Sequence, residues 1–272
     1  MKIYSRINIK PKTDRYPFRV PPDVRQEAED LCQELSKYCI DEEMLLLLIP
    51  IDSDGYRKVR AFITKHSQYF EAPLELFERR YTRGEVDAAD FLTLGTRSIL
   101  YTSERNENEY CCERNCFVTG SVGNLYVEPR GMKNKNLAFT TNYRFVVSER
   151  LKTILESNQL TNICFHPVLH PRREMILGYQ IEPIDRMPPI HELNGWHPYL
   201  LCKKTGKIVY EANSEDPLKV TKKIVSHLKD FNATMEAFTE LGAPSYIISR
   251  KMHEVLKEAN VKSLDCEPVY IK

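Results

Sequence analysis

FVVSERLKTILESNQLTNICFHPV (residues 145–168) and YIISRKMHEVLKEANVKSLDCEPV (residues 246–269) align without a gap at an offset of 101 residues (246 − 145). Apolar positions match in pairs: Leu151 with Met252, Ile154 with Val255, Leu155 with Leu256, Leu160 with Val261, Ile163 with Leu264. Only Ser148/Ser249, Leu155/Leu256, Pro167/Pro268 and Val168/Val269 are identical, so the signal is the pattern and its unbroken length. Two copies at this spacing are too few and too far apart for a solenoid. The reading is two related strand–helix–strand units.

Each copy opens on an aromatic and two β-branched residues, which suit a short buried strand. The serine that follows can accept a hydrogen bond from a free helix N–H, making Ser148 and Ser249 N-caps. Leu151, Ile154 and Leu155 recur three and four apart, as do Met252, Val255 and Leu256, placing each set on one helical face. Asn158 and Asn260 stand where a residue tolerant of left-handed backbone closes a helix. Neither serine has the glycine flanks of a nucleophile elbow.

Working outward, the segment before the first copy (residues 103–136) is polar, carries Gly120, Gly123 and Gly131, and reads as a boundary. The expected domains are 1–125 and 126–272. Residues 2–9 read as a strand, and Asp23 as the cap of a helix over 24–39 with Ala28, Leu31 and Leu35 inward. Residues 44–51 read as a buried strand ended by a turn at Asp52-Ser53-Asp54-Gly55. Helices are expected at 74–81, 87–94, 217–228 and 233–241, and strands at 97–101 and 175–184. Residues 199–202 and 207–210 flank Gly206 as a hairpin. Strands and helices mix without regular alternation, so the fold class is α+β with mixed sheets and flanking helices.

The 272 residues carry a net charge of +1, with 42% hydrophobic and 28% charged residues, an ordinary globular balance with no global pull toward nucleic acid or anionic membrane. Charge is nonetheless uneven. Lys2, Arg6, Lys10, Lys12, Arg15, Arg19 and Arg25 make the N-terminal segment basic, and an acidic run follows at Glu27, Glu29, Asp30, Glu34, Asp41, Glu42 and Glu43. No segment approaches the roughly 18 apolar residues of a membrane span. The N-terminus alternates like a strand and lacks the apolar centre of a signal peptide. A cytoplasmic protein is expected, with its eight cysteines reduced.

Chemistry-bearing clusters are few. Cys111, Cys112 and Cys116 invite zinc, but no second pair stands at matching spacing. His166 and His170 in HPVLHP are separated by a proline. No P-loop, GxGxxG, HExxH or GxSxG occurs. Glu182 with Asp185, or Asp265 with Glu267 and Lys272, could form a carboxylate site of a nucleic-acid-processing enzyme, the alternative reading. No metal or other cofactor is expected.

The hairpin segment YLLCKKTGKIVYEAN (199–213), followed by FTELGAPSYIISRKMHEVLKEANVKSLDCEPVYI (238–271), resembles the repeating unit of the double-CxxCG immunity proteins of bacterial polymorphic toxin systems. NYRFVVSERLKTILESNQLTNICFHPVL (142–169) is similar to the same unit, and also to a related immunity domain of myxobacterial toxin systems. Cys202 and Gly206 keep the knuckle, Thr205 replaces its second cysteine, and no CxxCG stands upstream. The resemblance implies a non-enzymatic protein that binds and blocks a cognate protein toxin, covering it with about 800 Å² per partner. Glu27, Asp30, Glu34, Asp41, Glu42 and Glu43 are the candidate partner-binding residues, because an acidic surface steers a basic partner.

Overall fold

The computed structural model describes residues 1–10, 12, 20–41, 45–71, 76–103, 107–110, 118–122, 124–132, 135–201, 208–211, 216–238 and 243–272. The chain forms two compact units, Met1–Thr82 and Arg83–Lys272. The division after residue 125 read from the sequence falls inside the second unit.

The first unit runs β1 (Lys2–Asn8), α1 (Pro22–Glu34), β2 (Cys39–Asp41), β3 (Leu46–Pro50), α2 (Asp54–Lys65) and β4 (Leu76–Arg80). Its sheet has the order β2-β3-β1-β4, antiparallel throughout. Strand alternation turns Ile7, Leu47 and Ile49 into a core closed by Val24, Ala28 and Cys32 of α1 and by Val59, Phe62 and Ile63 of α2. The turn expected at 52–55 ends β3 slightly earlier, the Ser53 N–H meeting the Pro50 carbonyl at 3.1 Å, and Asp54 and Gly55 already belong to helix α2. The Ser53 hydroxyl accepts from the Tyr56 N–H, so the polar run caps a helix. Gly55 sits in its first turn because a Cβ there would lie 2.8 Å from Ile49 and 2.9 Å from Leu35 side chains. Strand β4 stands where a helix was expected, drawn into pairing by β1. Helix α1 begins after Pro21 with proline at its start rather than at a cap formed by Asp23, and ends at Glu34.

The second unit continues with α3 (Arg83–Ala88), β5 (Phe91–Thr93), β6 (Ile99–Leu100), β7 (Glu107–Tyr110), β8 (Val118–Val122), β9 (Leu125–Tyr126) and α4 (Pro129–Met132). Then follow β10 (Leu137–Thr140), β11 (Phe145–Val147), α5 (Glu149–Ser157), β12 (Ile163–Leu169) and β13 (Ile176–Pro183). The chain closes with α6 (His191–Asn194), β14 (His197–Leu201), β15 (Ile208–Glu211), β16 (Lys219–Val220), α7 (Lys222–Val225), β17 (Phe231–Ala233), β18 (Tyr246–Ser249), α8 (Arg250–Glu258), β19 (Glu267–Pro268) and β20 (Tyr270–Ile271). Antiparallel and mixed sheets beside helices make this an α+β protein.

A six-stranded sheet, β6-β10-β11-β13-β12-β9, and a four-stranded sheet, β17-β18-β5-β19, share one core with α5 and α8. Matched residues of the two quoted stretches meet there: Val147 and Ile248, Leu151 and Met252, Leu155 and Leu256 are all buried in it. The Phe145 and Tyr246 rings lie edge to face, centroids 5.2 Å apart. Both serines cap as expected, Ser148 at φ −69°, ψ 160° and Ser249 at φ −72°, ψ 161°. Left-handed backbone falls at Gln159 and Asn260, and again at Asn162 and Ser263, each pair at the same offset. Asn158 is not left-handed as expected; its amide donates to the Ile154 carbonyl at 2.9 Å.

The strand–helix–strand reading holds for 145–169 but not at the end of the second stretch. There the final strand is broken into β19 and β20, which pair with β5 and β16 respectively. Three expected helices also give way. Residues 87–94 divide between α3 and β5; 217–228 shorten to β16 and α7; 233–238 hold no helix and open on β17, where Phe231 and Ala233 enter the core against β18, while 239–241 lie outside the described residues. Packing outweighs local helix preference at each of these positions.

Candidate functional site

The acidic run lies in the first unit. Glu27, Asp30 and Glu34 are on the outer face of α1. Glu27 meets Lys65 Nζ at 2.8 Å and His66 Nε2 at 2.9 Å, and the Lys65 hydrogen bond, with His66 beside it, holds its carboxyl below the usual range. Glu34 pairs with Lys58, and Asp30 accepts from Gln26 at 2.9 Å. Two of these carboxylates are therefore matched by cations of α2, which weakens the field they project. Asp41 closes β2, while Glu42 and Glu43 lie outside the described residues. So do Cys111, Cys112 and Cys116, and Cys202 and Thr205 of the knuckle.

In the second unit, β12 and β13 bring Cys164, His166 and Glu182 together, a grouping the sequence did not suggest because Glu182 faces Cys164 only through strand register. Cys164 Sγ is 3.5 Å from His166 Nε2, which is also 3.6 Å from Glu182 Oε2. Both contacts fall on one ring nitrogen. A nucleophile–base–orienter relay needs them on opposite nitrogens, so this cluster is not arranged as one. Burial, and then the Glu182 carboxylate, push the Cys164 thiol up, away from the reactive thiolate. Arg144 Nη1 bonds Glu182 at 2.9 Å and Gln180 donates to the same oxygen, so the carboxylate is already occupied. His170 instead accepts from the Arg172 N–H at 3.0 Å. Among the described residues no three His, Cys, Asp or Glu side chains are grouped to hold a metal ion.

A second polar cluster is buried. Glu236, 3% exposed, accepts at Oε1 from the His191 N–H (2.8 Å) and the Ile190 N–H, and lies 3.1 Å from His191 Nδ1. It ties the irregular segment after β17 to the start of α6. Of the carboxylate alternatives, Asp265 faces Arg97 at 3.5 Å, and the Asp185 N–H donates to Asn162 Oδ1 at 2.7 Å.

The hairpin β14–β15 forms at the expected place, antiparallel, with a bulge between Pro198 and Leu200. Strand β14 has no second strand neighbour among the described residues. It turns Tyr199 (64% exposed) and Leu201 (56%) to solvent, while Val209 on β15 is buried. An aromatic and an aliphatic side chain on an open strand edge can receive a partner by strand addition, the backbone supplying affinity and the side chains selectivity. No helix among the described residues is long and apolar enough to cross a membrane. No family model matches the chain, and no curated protein matches it.

Proposed function

We propose that this chain is a cytoplasmic immunity protein that binds a cognate bacterial toxin and blocks it by stoichiometric occlusion, without turnover. The reading rests on the resemblance of residues 140–272 to double-CxxCG immunity proteins. The observation that carries it is the open edge of β14, with Tyr199 and Leu201 exposed on the same hairpin that supports the resemblance. The toxin docks on this edge. The acidic residues Glu27, Asp30, Glu34, Asp41, Glu42 and Glu43 add steering for a basic partner, reduced where Lys58, Lys65 and His66 face them.

Co-expression with the toxin encoded beside it tests the proposal: growth is rescued and the two proteins co-purify in equal amounts. Tyr199→Lys with Leu201→Lys abolishes both, without loss of fold because both side chains are exposed. Asp30→Lys slows association only, and the effect shrinks with added salt. Inactivation of the toxin by substoichiometric amounts, or absence of any complex, overturns the reading.

A further inference from the structure

Beyond the toxin-binding reading and independent of it, the second unit holds a cavity of about 220 Å³ where β10, α5 and the end of α8 converge. Its lining includes Lys135, Arg150 and Lys262, with the polar side chains of Ser98, Asn136 and Asn260, and no carboxylate. Lys135 is fixed by donating to the Ile99 carbonyl at 2.8 Å, one of its three donors. Arg150 and Lys262 make no ion pair among the described residues. Asn136 Oδ1 accepts from the Ser148 hydroxyl at 3.1 Å, which engages one lone pair of its oxygen and orients the amide, whose N–H groups are donors. Three cations and donor-rich neutral groups around one concavity favour an anion, and an arginine beside lysines matches the several oxygens of a phosphate better than a single charge. The volume is below that of a drug-sized pocket of roughly 300–1,000 Å³ and suits a small group.

We propose that this cavity binds a phosphate group, either inorganic phosphate or the phosphomonoester of a small metabolite. Lys135 and Asn136 form the fixed wall, and Arg150 and Lys262 close on the remaining oxygens.

Calorimetric titration of the full chain at low salt with inorganic phosphate and with ribose 5-phosphate tests this and separates the two sources. Tighter binding of the sugar phosphate indicates a phosphorylated metabolite; equal binding indicates the free ion. Arg150→Gln with Lys262→Gln weakens binding by about tenfold or more, whereas Lys223→Gln on α7 leaves it unchanged. In the unaltered protein, phosphate shifts the amide resonances of Ser98, Asn136 and Asn260, a readout that does not depend on a variant folding. Absence of saturable binding overturns the proposal. So do equal binding of acetate, binding insensitive to the double substitution, or binding confined to oligonucleotides.

Discussion

The stretches 145–169 and 246–271 begin alike and end differently. Through strand, cap and helix they match in buried positions, cap dihedrals and left-handed residues. Beyond the helix, β12 is a continuous seven-residue strand, while the later stretch offers only β19 and β20. The neighbours explain the difference. β12 lies against the eight-residue β13, reached by a short connection. β19 lies against β5, three residues long and drawn from far upstream in the chain. A strand is only as long as the partner that satisfies its N–H and C=O groups. Similar sequence thus fixes the local helix entry, and the available partner fixes the rest.

The shared core gives the largest expected effects. Leu155→Ala and Leu256→Ala each remove a side chain 1% exposed from the same cluster, and each is expected to cost about 2–5 kcal/mol in denaturant unfolding. A cost from one alone would show that the two stretches do not contribute equally.

Gly95 sharpens the contrast at the second sheet. A Cβ there would lie 2.2 Å from the Asp265 carbonyl oxygen, backbone that cannot move aside cheaply. Gly95→Ala is expected to destabilise by about 1–3 kcal/mol. Gly84→Ala in α3, with nothing within 4 Å, is expected to stabilise by about 0.5–1 kcal/mol.

The caps should differ by degree. Ser148→Ala and Ser249→Ala each cost about 0.5–2 kcal/mol, Ser249 more. Its hydroxyl donates to the Asp230 carboxylate at 2.6 Å, whereas Ser148 meets the neutral Asn136 amide at 3.1 Å. Burial pushes the Asp230 carboxyl up, but hydrogen bonds from Ser249 and Thr161 outweigh it and hold the group below the ordinary aspartate value. A depressed carboxyl stabilises the fold above its unfolded pKa, near pH 4, and that contribution is lost as pH falls through the lower folded value. Asp230→Asn should flatten this acid limb in a pH series of unfolding midpoints.

The smallest effect lies at the left-handed pair. Gln159→Gly should stabilise by about 1 kcal/mol, and Asn260→Gly by less, because asparagine tolerates that backbone and glutamine does not. Equal changes in thermal unfolding would mean that the two helix ends carry different strain from their surroundings.

Much of the candidate interaction surface was legible only in part. Gly206 and the flanking apolar residues marked the hairpin, but nothing in them singled out Tyr199 and Leu201 as its solvent-facing side chains. Which side faces solvent depends on what packs against it. The acidic face of α1 was legible too, but its cations were not, because Ser53, Asp54 and Gly55 read as a turn and concealed α2. The cavity gathers residues 98, 135–137, 150, 259, 260 and 262, distant positions that no local pattern connects.

The sequence by itself determined the caps at Ser148 and Ser249, the inward faces of α5 and α8, and the α+β mixture, since these follow from interactions within a few residues. The tertiary structure alone decided that residues 76–80, 91–93 and 231–233 are strands, and that Cys164 faces Glu182. Residues 76–80 and 91–93 depend on partners far away in the chain, while residues 231–233 and Cys164 depend on the register of a neighbouring strand; a short apolar segment adopts whichever backbone lets its partner satisfy its hydrogen bonds and bury its side chains.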